Sequence, residues 1–323
     1  MNETSSVHRL EGMEPDNLLA VLAFLGAAQA LEAADGHNPV GSRWFPRLGW
    51  DLDSPPLRPQ LHLQVAVDAE EIGLRIDCGL ERLSSSYRFG GRKDLDFSLT
   101  DARKQLTEAA LGAQPQSRHQ VDLLSAIMSD AIDQSNKPGI VDPSPLCLLR
   151  GGGHQYFLDH LSRVHDAYAV GYDVGRVRSL CDTLFKPWGR EDDLSSSFRW
   201  DPKEAVQYAL MAGDPTTAAY KCGTQFGANL LAAVGFSCFS VVAQQRRQRR
   251  RPAIPGGQHR REFAVAWPIW RHPTTLATVR SLFSHPGLWE ERGLEHLGVE
   301  TVFVAYRMMG RLMNFSHGEL LYA

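Results

Sequence analysis

The 323-residue sequence has few cysteines, and none of them forms a Cys-x-x-Cys pair. The five are Cys78, Cys147, Cys181, Cys222 and Cys238. Their scattered positions argue against a disulfide framework and against a zinc ribbon. Isolated cysteines are typical of free thiols in a reducing compartment, so we expect a cytoplasmic protein.

Sequence motifs of common enzymes are also missing. The chain has no G-x-S-x-G, no H-E-x-x-H and no Walker loop, and no cysteine stands in a known nucleophile context. We therefore expect a protein that is not an enzyme and that holds neither a cofactor nor a metal. A catalytic site assembled from scattered carboxylates and histidines stays open as an alternative.

The N-terminal region lacks the marks of a membrane or secreted protein. Its first residues, MNETSSVHRLEGMEP, have no basic region followed by a cleavage site. The apolar run LLAVLAFLGAAQAL (18–31) covers about 14 residues, whereas a membrane span needs ~20. We expect no membrane partner and interpret this run as a buried helix.

The composition does provide material for a substantial core. Hydrophobic residues make up 43% of the chain, which is enough for one large domain or two smaller ones. Helical and strand patterns occur without regular βαβ alternation, and this favours an α+β class with mixed helices and short sheets around the buried apolar N-terminal helix. The segment NKPGIVDPSP (136–145) predicts a boundary between a helix-rich domain, 1–140, and an α+β domain, 141–323.

Hydrophobic periodicity predicts the individual elements. Helices are predicted over 15–34, 68–83, 101–112, 119–135 and 274–283, after the glycines at 151–153, and from 226 onward. Strands are predicted over 61–67, 146–150, 261–270 and 299–309. Two echoes, NLLAVLAF (17–24) with NLLAAVGF (229–236) and SSSYRF (84–89) with SSSFRW (195–200), have different separations and therefore do not form a regular repeat.

The most unusual segment is QQRRQRRRPAIPGGQHRREF (244–263), in a chain whose formal net charge is -3. Its prolines and glycines predict an exposed loop, because so many charges cannot be buried without compensation. Arginine binds phosphate through two parallel hydrogen bonds and stacks on bases. The candidate nucleic-acid contacts are Arg246, Arg247, Arg249, Arg250, Arg251, Arg260 and Arg261. An acidic protein partner and a solvated loop without a partner remain the alternatives.

A second candidate contact is SSSYRFGGRKD (84–94). Tyr87 and Phe89 are expected to stack on bases, and the glycines between the basic residues would let the backbone approach a groove. The candidate phosphate contacts are Arg88, Arg92 and Lys93. A surface turn without a ligand is the alternative interpretation.

The segment LLRGGGHQYF (148–157) predicts a glycine loop at a helix start, where backbone N–H groups favour anions. An enzyme that acts on a phosphorylated substrate at this loop is therefore a rival hypothesis. His154, His160 and His165 follow with Asp159, but their spacings do not place them on one helical face. We therefore expect no metal site there.

Three segments carry a resemblance to a known family: VHRLEGMEPDNLLAVLAFLGAAQAL at the N-terminus, FRWDPKEAVQYAL (198–210) and GANLLAAVGF (227–236). The first has the histidine, leucine-x-glycine, proline and leucine-rich order found in His8, Leu10, Gly12, Pro15, Leu18, Leu22, Leu25 and Gly26. In these segments the chain resembles the large-subunit proteins of type I-G CRISPR systems, as a compact version or an accessory relative.

This resemblance implies a non-catalytic subunit of an RNA-guided surveillance complex (Cascade). Large subunits of this kind recognise the short motif that flanks the DNA target, help to open the duplex, hold the displaced strand and recruit a helicase-nuclease. The implied partners are target double-stranded DNA, other CRISPR effector subunits, a helicase-nuclease and, as a further option, guide RNA. The rival classes are the phosphate-binding enzyme above and an adaptor that binds an acidic protein.

Overall fold

The structure is a computed structural model, and it describes residues 4–36, 38–114, 118–132, 139–150, 155–170, 175–190, 197–204, 224–246, 249–259, 261–308 and 313–322. The helices in this part of the chain are α1 (Leu18–Asp35), α2 (Ala69–Leu83), α3 (Leu99–Leu111), α4 (Arg118–Ile127), α5 (Phe157–Val170), α6 (Gly175–Phe185), α7 (Phe226–Gly235) and α8 (Leu276–Ser284). The strands are β1 (Ser5–Arg9), β2 (Arg47–Asp51), β3 (Arg58–Val67), β4 (Val242–Arg246), β5 (Arg249–Ala253), β6 (Gly257–His259), β7 (Phe263–Trp270), β8 (Val299–Met308), β9 (Asn314–Phe315) and β10 (Glu319–Leu320).

Helix α1 is the centre of the fold. Asn17 caps it by accepting hydrogen bonds from the backbone N–H groups of Leu19 and Ala20. The helix has 18 residues, against the 20 predicted over 15–34, and by length and composition it could cross a membrane. However, 83% of it is buried inside the protein, which confirms the predicted α+β fold around a buried apolar helix.

Glycines allow α1 to pack against two other helices at backbone distance. A Cβ atom on Gly26 would lie 1.8 Å from the carbonyl oxygen of Leu231 in α7. Gly79 of α2 is equally close to α1, since its Cβ would lie 1.9 Å from the carbonyl oxygen of Ala30. The two echoing segments, 17–24 and 229–236, thus belong to helices α1 and α7, which pack directly against each other.

The strands form three antiparallel sheets in the described residues. The first has the order β1-β3-β2, the second has the order β10-β8-β7-β6 with β9 also paired to β8, and the third consists of β4 and β5. Strand β7 is buried along its whole length. Its two tryptophans donate hydrogen bonds to the N-terminal part of the chain, Trp267 to the carbonyl oxygen of Pro15 and Trp270 to that of Leu48, both at 2.9 Å.

Most predicted elements are confirmed. Strand β3 contains the predicted alternation at 61–67, and α8, β7 and β8 lie where periodicity predicted them. In α2 one apolar face is buried. Its members are Ile72, Ile76, Leu80 and Leu83.

Two predictions around residue 140 are wrong in detail. The helix predicted over 119–135 ends at Ile127, because the returning chain takes up the backbone carbonyls: Ser144 N–H donates to Ile127 and Asp142 N–H donates to Ala131. Six apolar residues have the spacing of one helical face, but only Val121, Leu124 and Ile127 lie in α4, while Met128, Ala131 and Ile132 lie beyond its end. Residues 146–150 are not a strand, although Arg150 forms an isolated bridge with Tyr156.

The proline-rich segment at the predicted domain boundary packs into the core where it is described. Val141 is 1% exposed and its N–H donates to the carbonyl oxygen of Phe97 at 2.9 Å. One hydrophobic core contains residues from both sides of position 140, including Leu22 and Leu231. The division into 1–140 and 141–323 stays a prediction about folding units.

Candidate nucleic-acid interface

The arginine-rich segment begins as a β-hairpin. Strands β4 and β5 pair antiparallel, with Gln244 opposite Arg251, Gln245 opposite Arg250 and Arg246 opposite Arg249. The predicted loop is therefore wrong for this part of the segment, because the two strands satisfy each other's backbone groups. Pro252 is compatible with the pairing, since both strands of a two-stranded sheet have a free edge and proline is tolerated at edges.

The hairpin has an outer face that points to solvent. Successive residues of a strand alternate between two faces, so Val242, Gln244 and Arg251 share one of them. All three are exposed, and Val242 is 60% exposed despite being apolar. The register places the backbone positions of Arg246 and Arg249 on this same face.

The opposite face anchors the hairpin to the body of the protein. Pro252 is buried on this side, and its carbonyl oxygen accepts a hydrogen bond from His259 Nε2 at 3.2 Å. Just before β4, the N–H of Val241 donates to the carbonyl oxygen of Ser125 at 2.7 Å. Arg250 lies on this face and pairs with Asp130 at 3.6 Å. The outer face is thus held at a fixed place on the surface.

The other predicted arginines have different positions. Arg250 keeps 57% of its side chain exposed in spite of its ion pair. Arg261 is exposed between β6 and β7, where the segment continues into the five-stranded sheet. Arg247 and Arg260 lie outside the described residues.

The second predicted contact segment contains a buried tyrosine. Tyr87 is 1% exposed, its ring stacks on His165 with centroids 3.5 Å apart, and its hydroxyl is 2.8 Å from His119 Nε2. Burial raises the pKa of Tyr87 above its usual value and lowers the pKa of His119 to about 4. The prediction that Tyr87 stacks on bases is therefore wrong, because the ring has no face free for a ligand.

The basic residues of this segment lie closer to the surface. Arg88 is exposed, while Lys93 is 67% exposed and lies 3.7 Å from Asp159 of α5. Arg92 is held more tightly, with its guanidinium 4.4 Å from the ring centroid of Phe97. Arg92 also pairs with Asp101 of α3 at 3.8 Å. Arg250 reaches the same helix through Asp130, which pairs with Arg103, so ion pairs connect both predicted segments to α3. Phe89 is only half-buried, and it packs against the hydrophobic core.

Within the segment 148–157, where a glycine loop was predicted, the glycines at 151–153 and His154 lie outside the described residues. The helix predicted after it is α5, in which His160 and His165 are both buried. Asp159 is engaged in ion pairs with Lys93 and Arg163. Within the described ranges, no three or more histidine, cysteine, aspartate or glutamate side chains are grouped so that they could hold a metal ion.

A buried ionic cluster lies between α6 and α7 in the sequence and involves Arg190, Asp201 and Glu204. Arg190 donates to the buried carboxylate of Asp201 at 2.6 Å, and Asn17 at the start of α1 donates to the same carboxylate at 2.9 Å. Burial, reinforced by the nearby charge of Asp201, raises the pKa of Glu204 to about 8. The cluster fixes the start of α1. Its signal in the sequence is FRWDP, in which aromatic residues directly precede the aspartate.

An open cleft of about 880 Å³ follows α8 along the chain. Its arginines are each matched by a glutamate, since Arg271 pairs with Glu300 at 2.5 Å and Arg292 with Glu295 at 2.7 Å. Arg292 remains 75% exposed. This surface therefore differs from the hairpin. There the exposed arginines, Arg250 and Arg251, outnumber the carboxylates that pair with them in the described residues.

Comparison with known proteins adds no assignment. No protein-family profile matches the chain, and no curated protein is significantly similar to it. The resemblance to CRISPR large subunits consequently rests on three short segments. The arginine hairpin is the described surface with the clearest binding chemistry, because it presents permanently charged, exposed guanidinium groups on an anchored ribbon.

Proposed function

We propose that the protein is a non-catalytic, nucleic-acid-binding subunit of an RNA-guided CRISPR surveillance complex, and that the β4–β5 hairpin grips the phosphodiester backbone. The observation that carries this proposal is the exposed outer face of the hairpin, with Arg251 on that face and Arg250 exposed beside it. The backbone positions of Arg246 and Arg249 belong to the same face.

The physical chemistry of the hairpin supports this role. A two-stranded β-ribbon fits the major groove of DNA, and arginine binds phosphate through two charge-assisted hydrogen bonds. The ion pair between Arg250 and Asp130 is exposed and long, and pairs of this kind hold the side chain only weakly. With a formal net charge of -3, the rest of the protein would not attract a polyanion, so binding is concentrated at the hairpin.

The place of the protein in a complex follows from the resemblance. A subunit of this kind contacts target double-stranded DNA next to the guide-paired region, through recognition of the flanking motif, duplex opening or holding of the displaced strand. It contacts other effector subunits in the cytoplasm and helps to recruit a helicase-nuclease. Guide RNA is a further candidate ligand for the same arginines, since RNA presents the same phosphodiester chemistry.

Salt-dependent DNA binding tests the proposal. Fluorescence anisotropy of the full chain with a labelled DNA duplex, and with the matching single strand, should show affinity that falls as salt rises, with a slope of log K against log salt of about -4.5 if five arginines each neutralise one phosphate. Replacing Arg246, Arg247, Arg249, Arg250 and Arg251 together by alanine should abolish this binding while the circular dichroism spectrum stays unchanged.

A matched pair of double variants sharpens the test. Arg250→Ala with Arg251→Ala should make the salt slope shallower by about 1.8, because two phosphate contacts are lost. Arg271→Ala with Arg292→Ala removes the same charge from exposed positions elsewhere and should leave affinity and slope close to wild type. Equal losses in both double variants, or no DNA binding by the wild-type protein, would contradict the proposal.

The complex itself provides the second test. Genes for a backbone subunit, a guide-processing protein and a helicase-nuclease beside the gene for this protein would support the assignment to an RNA-guided effector. Co-expression of those products with the tagged full chain should then yield a complex that contains it. Retention of an acidic protein, with no nucleic acid and no effector subunit, would instead favour the adaptor hypothesis.

A further inference from the structure

One carboxylate of this protein lies between two arginines that are distant in the sequence. Asp130 Oδ2 is 3.5 Å from Nη2 of Arg103 on α3 and 3.6 Å from Nη1 of Arg250 on β5. Because both nitrogens approach the same oxygen, the two guanidinium groups are neighbours on the surface. Asp130 follows α4, so three separate parts of the chain meet at this point.

All three side chains are open to solvent. The exposed fractions are 61% for Arg103, 57% for Arg250 and 40% for Asp130. Both contacts are longer than an ordinary charge-assisted hydrogen bond, whose length is about 2.7–2.9 Å. The cluster carries one net positive charge, and each guanidinium keeps further N–H donors for another acceptor.

We propose that Arg103 and Arg250 form a two-arginine clamp for a phosphate of the nucleic-acid backbone, and that Asp130 competes with this phosphate for the two guanidinium groups. This inference rests on the proposed nucleic-acid binding of the hairpin and extends that surface from β5 onto α3. In the free protein, Asp130 lies between the two arginines and contacts each of them weakly. A phosphate group, which offers several acceptor oxygens, takes over the guanidinium donors, and the carboxylate turns toward solvent.

Asp130 has two opposing effects in this arrangement. Its charge keeps two like-charged arginines adjacent when no ligand is present, and the same charge repels the phosphate that binds there. Asparagine has nearly the same shape as aspartate and still accepts a hydrogen bond, but it carries no charge. Asp130→Asn therefore removes the repulsion and keeps the local shape.

The experiment measures binding of the full chain to a short fluorescein-labelled DNA duplex over a series of salt concentrations. Arg103→Ala should weaken binding and make the slope of log K against log salt shallower by about 0.9, the value for one phosphate contact. Asp130→Asn should tighten binding severalfold at low salt. In a background with both Arg103→Ala and Arg250→Ala, Asp130→Asn should have no effect, because its two partners are absent.

The pair Arg292 and Glu295 supplies matched controls, since it is an exposed arginine–carboxylate contact on a different part of the chain. Arg292→Ala and Glu295→Gln should each leave DNA binding unchanged. Tightening by Glu295→Gln equal to that by Asp130→Asn would show a general charge effect and overturn the clamp.

The outcomes separate this inference from the proposed function. If alanine at Arg250 and Arg251 weakens binding while Arg103→Ala and Asp130→Asn change nothing, the hairpin function stands and the clamp is refuted. If the wild-type protein binds no duplex at low salt, both are refuted. Weaker binding of Arg103→Ala together with tighter binding of Asp130→Asn supports the clamp, provided that circular dichroism shows both variants folded.

Discussion

At the scale of single residues, Tyr87 shows how burial limits what an aromatic side chain can do. Its neighbours in the sequence, Arg88 and the glycines that follow, are typical of a surface contact. The ring nevertheless lies between His119 and His165, and its hydroxyl also donates to the carbonyl oxygen of Ala233. Tyr87 therefore contributes to stability and not to a binding surface.

Tyr87→Phe tests that conclusion. Loss of the hydroxyl leaves His119 Nε2 and the Ala233 carbonyl oxygen without this partner, and it should lower the free energy of unfolding by about 1–3 kcal/mol. Urea denaturation followed by circular dichroism measures the change. DNA affinity should stay at the wild-type value, and a loss of affinity in a variant of unchanged stability would contradict the structural role.

His119 should make stability depend on pH. Burial lowers its pKa in the folded state from 6.5 to about 4, so the unfolded chain binds more protons between these values. The free energy of unfolding should therefore rise with pH from about 4 to 6.5 and lose up to about 3 kcal/mol on acidification through that range. Urea denaturation at several pH values measures this change.

His119→Gln removes the titrating group and should flatten the dependence of stability on pH. His165 has its pKa lowered to about 3 by burial as well, so part of the acid sensitivity should persist in that variant. If the free energy of unfolding depends on pH in the same way in wild type and His119→Gln, the expected lowering of the His119 pKa by burial would be contradicted.

At the scale of elements, the contact between α1 and α7 depends on glycine. A Cβ on Gly26 would collide with the backbone of Leu231, and a Cβ on Gly235 would lie 2.0 Å from the carbonyl oxygen of Leu22. Both clashes are with backbone, which cannot move aside without shifting a whole helix. Sequence periodicity predicted the two helices, whereas their close contact depends on tertiary packing.

Gly26→Ala should be strongly destabilising. Alanine has the higher helix propensity by about 1 kcal/mol, but overpacking against a backbone carbonyl should outweigh this and cost about 3 kcal/mol or more. Gly36→Ala is the matched control, because a Cβ at this position after α1 would lie 3.5 Å from its nearest contact, the carbonyl oxygen of Glu32. Thermal unfolding of both variants measures the difference. Equal midpoints would show that the helices do not pack this closely.

The sequence predicted that the arginine-rich segment is exposed, but it did not predict that the segment forms a β-hairpin. Arginine-rich and glutamine-rich strands lack the apolar alternation that marks a half-buried strand. The two residues that separate β4 from β5 in the sequence are Arg247 and Gln248, which do not form the Asn-Gly or Asp-Gly signal of a tight hairpin. The pairing becomes evident only from the structure, where Pro252 and His259 anchor the base.

At the scale of the whole molecule, the sequence predicted a localised positive region on a mildly acidic protein. It could not predict that Arg103 belongs to this region, because no sequence pattern relates α3 to the hairpin. The two are connected only in the folded chain, where Asp130 lies between Arg103 and Arg250. For the same reason it missed the cluster of Arg190 and Asp201, whose members are brought together only by folding. Local patterns thus predicted the elements, while contacts between distant segments determine the site.

The same long-range contacts predict how the chain unfolds. The halves on either side of residue 140 share the packing of α1 against α7, and Trp50 lies edge-on to Trp270 with ring centroids 5.8 Å apart. Separating the halves would expose to water the face of α1 that packs against α7, at a cost of about 25 cal/mol for each Å² of apolar surface. We therefore expect a single cooperative transition in urea, with coincident midpoints from circular dichroism and tryptophan fluorescence. Two separate midpoints, or a folded and soluble 1–140 fragment, would contradict this expectation and support the two-domain division.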